Sequence, residues 1–169
     1  MLDTSAFIAG FDPLSVGDKQ YSVPSVRKEL ARNSMPMTRF NAAVENRRLR
    51  VKPPNLSSLR RVKEASKKVG DVLYLSEADF DVLALALELK SRGYHPTIVT
   101  DDYSIQNVAD QIGVDFAPLM TYGIRFRFKW ILYCPACYKK YPSDHKSKVC
   151  EVCGTKLKRK PLRRTKVKK

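Results

Sequence analysis

No apolar run in this chain approaches the length of a membrane span, so a transmembrane helix and a membrane partner are not expected. The opening stretch "MLDTSAFIAG" carries Asp3 and no basic cluster, which argues against a secretory signal and leaves the cytoplasm as the expected location. Cysteine is scarce. Four residues could form two disulfides in a secreted chain, but a cytoplasmic setting and their spacing point to a metal instead. No internal repeat is visible. Acid is nearly missing from the last third: from Gly123 to Lys169 there are 16 Lys and Arg against Asp144 and Glu151, a net charge of +14.

What is present suits one ordinary domain with a small appendage. A length of 169 residues can bury a real core, and 43% hydrophobic with 29% charged residues describes a globular protein. The formal charge of +15 is unevenly spread. Besides the last third, the stretch from Arg39 to Lys68 holds 10 Lys and Arg against Glu45 and Glu64. The remainder is net acidic. An acidic nucleus, a basic insertion and a very basic C-terminal region imply a polyanionic partner. For the insertion alone, solvated surface charge is an equally good reading.

Strand and helix signals alternate along the first part. "MLD" is a very short apolar start, and "TSAFIAG" a turn into helix. "KQYSVP" reads as a strand, with Pro24 suited to the first turn of the helix "SVRKELARN". "MTRFNAAVENRRL" has helical periodicity, "LRVKPP" is extended, and "NLSSLRRVKEASKKVG" is a basic amphipathic helix with Gly70 placed to cap it. "DVLYL" reads as a buried strand. "SEADFDVLALALELKSRG" opens with a capping box from Ser76 to Asp79. Its Leu83, Leu85, Leu87 and Leu89 alternate as a strand would. Ala, Leu and Glu nevertheless favour helix and β-branching is nearly absent, so a deeply buried helix ending at Gly93 is expected. "HPTIVT" follows as a strand, "DDYSIQNVADQIG" as a helix and "VDFAPL" as a strand.

This alternation predicts an α/β fold: parallel βαβ units in a three-layer α/β/α sandwich with a central parallel sheet. "MTYGIRFRFKWILY" instead alternates apolar and basic residues, as a two-sided antiparallel strand does. The resulting division gives residues 1–122 to the α/β unit, with 39–68 as a basic helical insertion. A small cysteine-bearing unit takes 123–158, and 159–169 form a tail too charged and too poor in apolar residues to fold alone.

The sheet gives the acids a geometry, because ligands bind beyond the carboxyl ends of strands in an open parallel sheet. Asp3 ends "MLD", and Asp101 and Asp102 follow "TIVT". Glu29 lies in the helix after "YSVP", and Asp79 in the first turn after "VLYL". Carboxylates from four strand ends would repel one another unless a divalent cation neutralised them. Hard oxygen ligands suit Mg²⁺ or Mn²⁺, which can activate a water against a phosphodiester. Taken singly, each acid has a structural reading: Asp79 completes a capping box, Asp101 or Asp102 caps a helix, and Glu29 pairs with an Arg. Their coincidence on one edge favours a site. Asp81 reads as a surface acid.

The segment "CPACYKKYPSDHKSKVCEVCG" gives C-x2-C-x12-C-x2-C at Cys134, Cys137, Cys150 and Cys153. Two close pairs across a short loop can place four thiolates about 2.3 Å from one Zn²⁺. Such a set leaves no open position and is therefore structural. Gly154 suits the left-handed turn after the second pair, and Tyr138 stands at the equivalent place after the first. His145, in the loop, reads as a surface residue. Beside the cluster, Arg125, Arg127 and Lys129 alternate with Phe126, Phe128 and Trp130, and Lys139 and Lys140 follow. The cations suit phosphates and the rings suit unpaired bases, while one face of the strand is needed to pack the unit.

At these residues the chain resembles a known family. "LDTSAFI", "VPSVRKEL", "LSEADFDVLALALEL" and "IVTDDYSIQNVA" are similar to the successive motifs of PIN-domain nucleases over residues 1 to about 115. The likeness is greatest to the NIN-one-binding endonucleases, which finish the 3′ end of small-subunit ribosomal RNA and also carry a zinc ribbon. The resemblance implies a metal-dependent endoribonuclease with Asp3, Glu29, Asp79 and Asp102 as the acidic quartet for Mn²⁺ or Mg²⁺. It further implies hydrolysis to a 3′-hydroxyl, precursor small-subunit rRNA as substrate, and a KH-domain RNA-binding assembly factor as partner. It does not decide between Asp101 and Asp102; Asp102 is preferred because it lies two past Thr100, as in the general motif. The rival readings are a non-catalytic RNA-binding ribosome-assembly factor and a PIN toxin-like nuclease acting on tRNA. The ribbon and the basic tail argue against the toxin.

Overall fold

Met1 and Leu2 join two pairs of short parallel strands in the computed structural model, which describes residues 1–167. Strand β1 (Gln20–Ser22) pairs with β2 (Leu49–Val51), and β3 (Thr97–Val99) with β4 (Asp115–Ala117). Between them, the Leu2 N–H donates to the Tyr21 carbonyl at 2.9 Å and the Val99 N–H donates to the Met1 carbonyl at 2.8 Å. Each strand is only three residues long, so helices bury most of the apolar surface. These are α1 (Thr4–Ile8), α2 (Pro24–Glu29), α3 (Met35–Glu45), α4 (Leu56–Val69), α5 (Glu77–Ser91) and α6 (Tyr103–Ile112). Among the described residues, no helix is long and apolar enough to cross a membrane.

Helix α5 is the central element, and its leucines behave as helix propensity demands rather than as their alternation suggests. Every residue from Val82 to Leu89 is buried, because α2, α4, α6 and β3 pack around it. Glu88 is among them. Its carboxylate accepts the Asn55 N–H at 2.8 Å and pairs with Arg92 at 2.6 Å, which offsets the loss of water. The basic stretch 39–68 is not a mere insertion: it supplies β2 to the parallel pairing and buries Val62 and Ser66 of α4 against the core. Gly70 caps α4 at φ 85°, and a Cβ there would come within 2.6 Å of the Trp130 carbonyl. The glycine is thus required both by its backbone and by the close approach of the next unit.

Two expectations fail. The segment Asp71–Leu75 is a turn, not a buried strand. The Tyr74 N–H closes it onto the Asp71 carbonyl at 2.8 Å, and Leu73 and Tyr74 are exposed. Its apolar residues serve local packing, and the Tyr74 ring lies 4.1 Å from the Arg159 guanidinium. The charged stretch from Arg159 is not a disordered tail either. Strand β7 (Lys158–Lys166) pairs antiparallel with all of β5 (Phe126–Tyr133), whose other edge holds β6 (Lys140–Tyr141). Rings of β5 compensate the charge on β7: Trp130 lies under Arg159 at 4.0 Å, Tyr133 under Lys160 at 4.5 Å and Phe126 under Arg164 at 5.2 Å. The register shifts between Lys129 and Trp130, opposite Pro161, where the ladder lacks an N–H. Lys168 and Lys169, the end of the expected tail, lie outside the described residues.

Candidate active site and metal centre

Asp3 follows the bridging residue Leu2 directly and caps α1. Its Oδ1 accepts the Ala6 N–H at 2.8 Å, and the Ser5 hydroxyl donates to the carboxylate at 3.0 Å. The side chain is buried at 2% exposure. Burial lifts its pKa to about 6, against hydrogen bonds from Thr100, Ala6 and Ser5, and the charge of Asp79 adds to the lift. Asp79 does complete the expected capping box: its Oδ2 accepts the Ser76 N–H at 2.7 Å, and the Ser76 hydroxyl accepts the Asp79 N–H at 3.2 Å. Burial raises its pKa as well, with Asp102 and Glu29 pushing the same way. Asp79 is therefore the electrostatic hub of the four acids.

The other two come from different helices, α2 and α6. Glu29 ends α2 and accepts the Thr4 hydroxyl at 2.6 Å instead of pairing with an arginine. Asp102 caps α6, accepting the Ser104 N–H at 2.6 Å, while its own N–H donates to Thr100 Oγ1 at 3.1 Å. Asp101 turns away. Its Oδ1 accepts the N–H groups of Leu119, Met120 and Thr121, each at 3.0 Å. Burial acts to raise the Asp101 pKa, but these donors outweigh it and hold the group below the usual carboxylate range. Asp81, expected on the surface, is half-buried and accepts the Ser25 hydroxyl at 2.7 Å. Sequence reasoning missed Thr4, Ser5 and Thr100, the hydroxyls that orient the acids. Their signal was adjacency, since each lies within two residues of an acid.

The cysteines are closer together than the carboxylates. Among the described residues, theirs is the group of three or more potential metal-ligating side chains whose ligand atoms all lie within 4.8 Å of one another. Cys134 Sγ is 3.4 Å from Cys153 Sγ, and Cys137 Sγ is 3.5 Å from Cys150 Sγ. These distances are far beyond a disulfide bond of about 2.05 Å. They approach the sulfur separation of a tetrahedral zinc site with about 2.3 Å bonds. Two equal turns build the site: the Tyr138 N–H donates to the Cys134 carbonyl and the Gly154 N–H to the Cys150 carbonyl, both at 2.9 Å. Tyr138 takes φ 59° and Gly154 φ 70°, so a tyrosine adopts here the conformation that glycine prefers. The Tyr141 hydroxyl lies 3.1 Å from Cys150 Sγ and draws that thiol down to about 6. His145, expected on the surface, is half-buried and stacks on Tyr141, ring centroids 4.7 Å apart.

The cations expected to contact RNA divide into two groups. Arg125, Lys129, Lys139 and Lys140 are exposed. Arg127 instead bonds Asp110 of α6 at 3.0 Å and is a strut between the two parts of the chain.

The sequence as a whole has known relatives. A family model described as the PIN domain of ribonuclease matches residues 1–89. The chain is 36% identical over 160 residues to Endoribonuclease Nob1 of Methanothermobacter thermautotrophicus, covering 95% of this chain and 91% of that protein. It is 35% identical over 163 residues to Endoribonuclease Nob1 of Methanocaldococcus jannaschii, covering 96% and 78%. It is also 38% identical over 159 residues to Ribonuclease VapC1 of Thermoplasma acidophilum, covering 94% and 76%. With acids contributed by separate elements of the α/β part and a four-cysteine cluster in the C-terminal part, this chain belongs to the Nob1 family of PIN-domain endoribonucleases.

Proposed function

We propose that this endoribonuclease hydrolyses precursor small-subunit ribosomal RNA to produce its mature 3′ end. The observation that carries the reading is the grouping of Asp3, Asp79, Asp102 and Glu29: burial lifts the carboxyls of Asp3 and Asp79, and repulsion from neighbouring acids of the set adds to the lift. Such a set is stable as a group of anions only around a cation, and its hard oxygens fit Mn²⁺ or Mg²⁺. When bound there, the cation supplies charge neutralisation and an activated water for attack on phosphorus. The protein's own part is positioning. Ser5 and the Ala6 N–H hold Asp3, the Ser76 N–H holds Asp79, Thr4 holds Glu29, and Thr100 holds the backbone of Asp102.

The same reading takes residues 1–122 as a three-layer nuclease domain and the four cysteines as ligands of one structural zinc. The exposed cations Arg125, Lys129, Lys139 and Lys140 then grip RNA phosphates, within a pre-ribosomal particle in the cytoplasm. A VapC-like ribonuclease acting on tRNA is the second reading, supported by the likeness to the Thermoplasma protein. The test is incubation of the purified full chain with Mn²⁺ and either a precursor rRNA fragment or tRNA, mapping every cut. A single cut at the mature 3′ end, leaving a 3′-hydroxyl and lost on Asp3→Asn, is the expected result. Cleavage confined to tRNA would overturn it.

A further inference from the structure

Between the first turn of α6 and the strand β5 lies a cavity of about 340 Å³, walled by Tyr103, Ser104, Arg125, Phe126, Phe128 and Trp130. It begins one residue past Asp102. We propose that this cavity holds one unpaired nucleobase of the RNA, beside the phosphodiester presented to the acidic edge. The proposal rests on the reading that this edge cuts RNA, and it deepens that reading by naming a base subsite.

The volume lies at the low end of the roughly 300–1,000 Å³ typical of small-ligand pockets, which suits one flat heterocycle and not a duplex. Its walls are aromatic. Phe128 and Trp130 have ring centroids 5.2 Å apart, and Tyr103 stands at the mouth with 55% of its surface exposed. Stacking on such rings is open to any base, because every base has a π-face. The guanidinium of Arg125 is exposed at the rim, where it can meet the phosphates that flank an inserted base. The charge of the surrounding C-terminal region, 16 Lys and Arg against two acids, suits a nucleic acid as occupant.

Most of the polar floor of the cavity is already spent. Asn107 donates to the Phe128 carbonyl at 2.9 Å and accepts the Phe128 N–H at 2.7 Å. Asp71 is engaged by Arg159 and Asn107. One buried donor remains, the Arg159 Nε–H, which lines the cavity without a hydrogen-bond partner and can meet an acceptor on a base edge. The pocket therefore senses chiefly that a base is unpaired, with a single fixed donor to favour one edge over another. An endonuclease built this way selects single-stranded or loosened positions next to its cut and leaves most sequence choice to other contacts.

The experiment uses the full chain and a set of short single-stranded RNAs, identical except for one abasic site moved along the strand. Binding is measured without divalent cation, so that affinity is read apart from cleavage. One position should weaken binding by about tenfold when its base is missing, with the others near unchanged. Tyr103→Ala should erase that single-position penalty, and Tyr103→Phe, which keeps the ring, should retain it. Phe126→Ala, checked for full zinc content, tests the opposite wall. A penalty spread evenly along the strand, or one that persists in both Tyr103→Ala and Phe126→Ala, overturns the proposal. A chain with the position-specific penalty that cuts none of these RNAs with Mn²⁺ would keep the pocket and overturn the nuclease role of the edge.

Discussion

Arg159 of β7 and Asp71 of the turn before α5, 88 residues apart in sequence, form an ion pair whose carboxylate side is 1% exposed. The other oxygen of Asp71 accepts from Asn107, and Asn107 in turn clasps the backbone of Phe128. A polar relay thus joins the cysteine-bearing unit to the nuclease unit, with the guanidinium stacked between Tyr74 and Trp130.

Removing one partner should be costly. Arg159→Ala leaves Asp71 charged, buried and without its cation, and should destabilise the chain by about 3–5 kcal/mol. Adding Asp71→Asn to that variant should recover part of the loss, because a neutral amide needs no counter-charge. Urea denaturation of the single and double variants checks both statements. Equal stability of Arg159→Ala and the unmodified protein would show that the pair is not the connection described.

Asp3 makes stability depend on pH in an unusual direction. Its pKa rises from 3.8 to about 6, chiefly through burial, so between these values the folded chain keeps a proton that the unfolded chain has released. Without metal, the Asp3 contribution therefore falls as pH rises through that window, and the penalty stands in full above about 6. Its size is at most about 3 kcal/mol, and Asp79 adds to it with the same sign. Asp3→Asn should flatten this slope and raise the melting temperature in EDTA near neutral pH, while abolishing cleavage. Thermal scans across the acidic range, run beside a cleavage assay with Mn²⁺, read both effects. A variant that cuts normally would remove Asp3 from the active site.

The elements legible in the sequence were those fixed by local chemistry. The capping box at Ser76, the glycine cap at Gly70 and the helix propensity of α5 all act within a few residues, and all appear where expected. The cysteine spacing was legible for the same reason. What failed depended on partners far away. Asp71–Leu75 has the composition of a strand, but its position is set by Arg159, 88 residues on from Asp71. Residues 159–166 look unable to fold by themselves, and they pair along β5, which offers backbone partners and rings to Arg159, Lys160 and Arg164. The hydroxyls of Thr4, Ser5 and Thr100 are too common as residue types to announce a role. Adjacency to an acid marks them in the sequence, and only the folded distances assign each its partner.

The two proposed metal sites should respond differently to chelation. Mild EDTA should stop cleavage, reversibly on adding Mn²⁺, because carboxylate ligands hold their cation weakly. Zinc on four thiolates should resist until the unit unfolds. Tyr141→Phe removes the hydroxyl that contacts Cys150 Sγ and should weaken zinc by about ten- to a hundredfold without touching a ligand. Competition with a zinc-binding dye measures that change, and elemental analysis of carefully purified protein should find one zinc per chain. Absence of zinc would falsify the assignment.

Exposed cations proposed to grip RNA should behave differently from those that hold the protein together. Arg125, Lys129 and Lys140 are exposed, so each one that contacts a phosphate releases a counterion when RNA binds. Replacing such a residue by Gln should lower the slope of log affinity against log salt by about 0.7 for a single-stranded RNA. Arg127 is equally basic, but its charge is committed to Asp110 at 3.0 Å. Arg127→Gln should therefore lower the melting temperature and leave the salt slope nearly unchanged. The exposed face of α4 supplies the control, with Arg60, Arg61 and Lys63. If substitutions there reduce the slope while those at Arg125, Lys129 and Lys140 do not, the grip lies on the 39–68 stretch and not on the cysteine-bearing unit. RNA titrations at several salt concentrations, with every variant in the full chain, decide between the two surfaces.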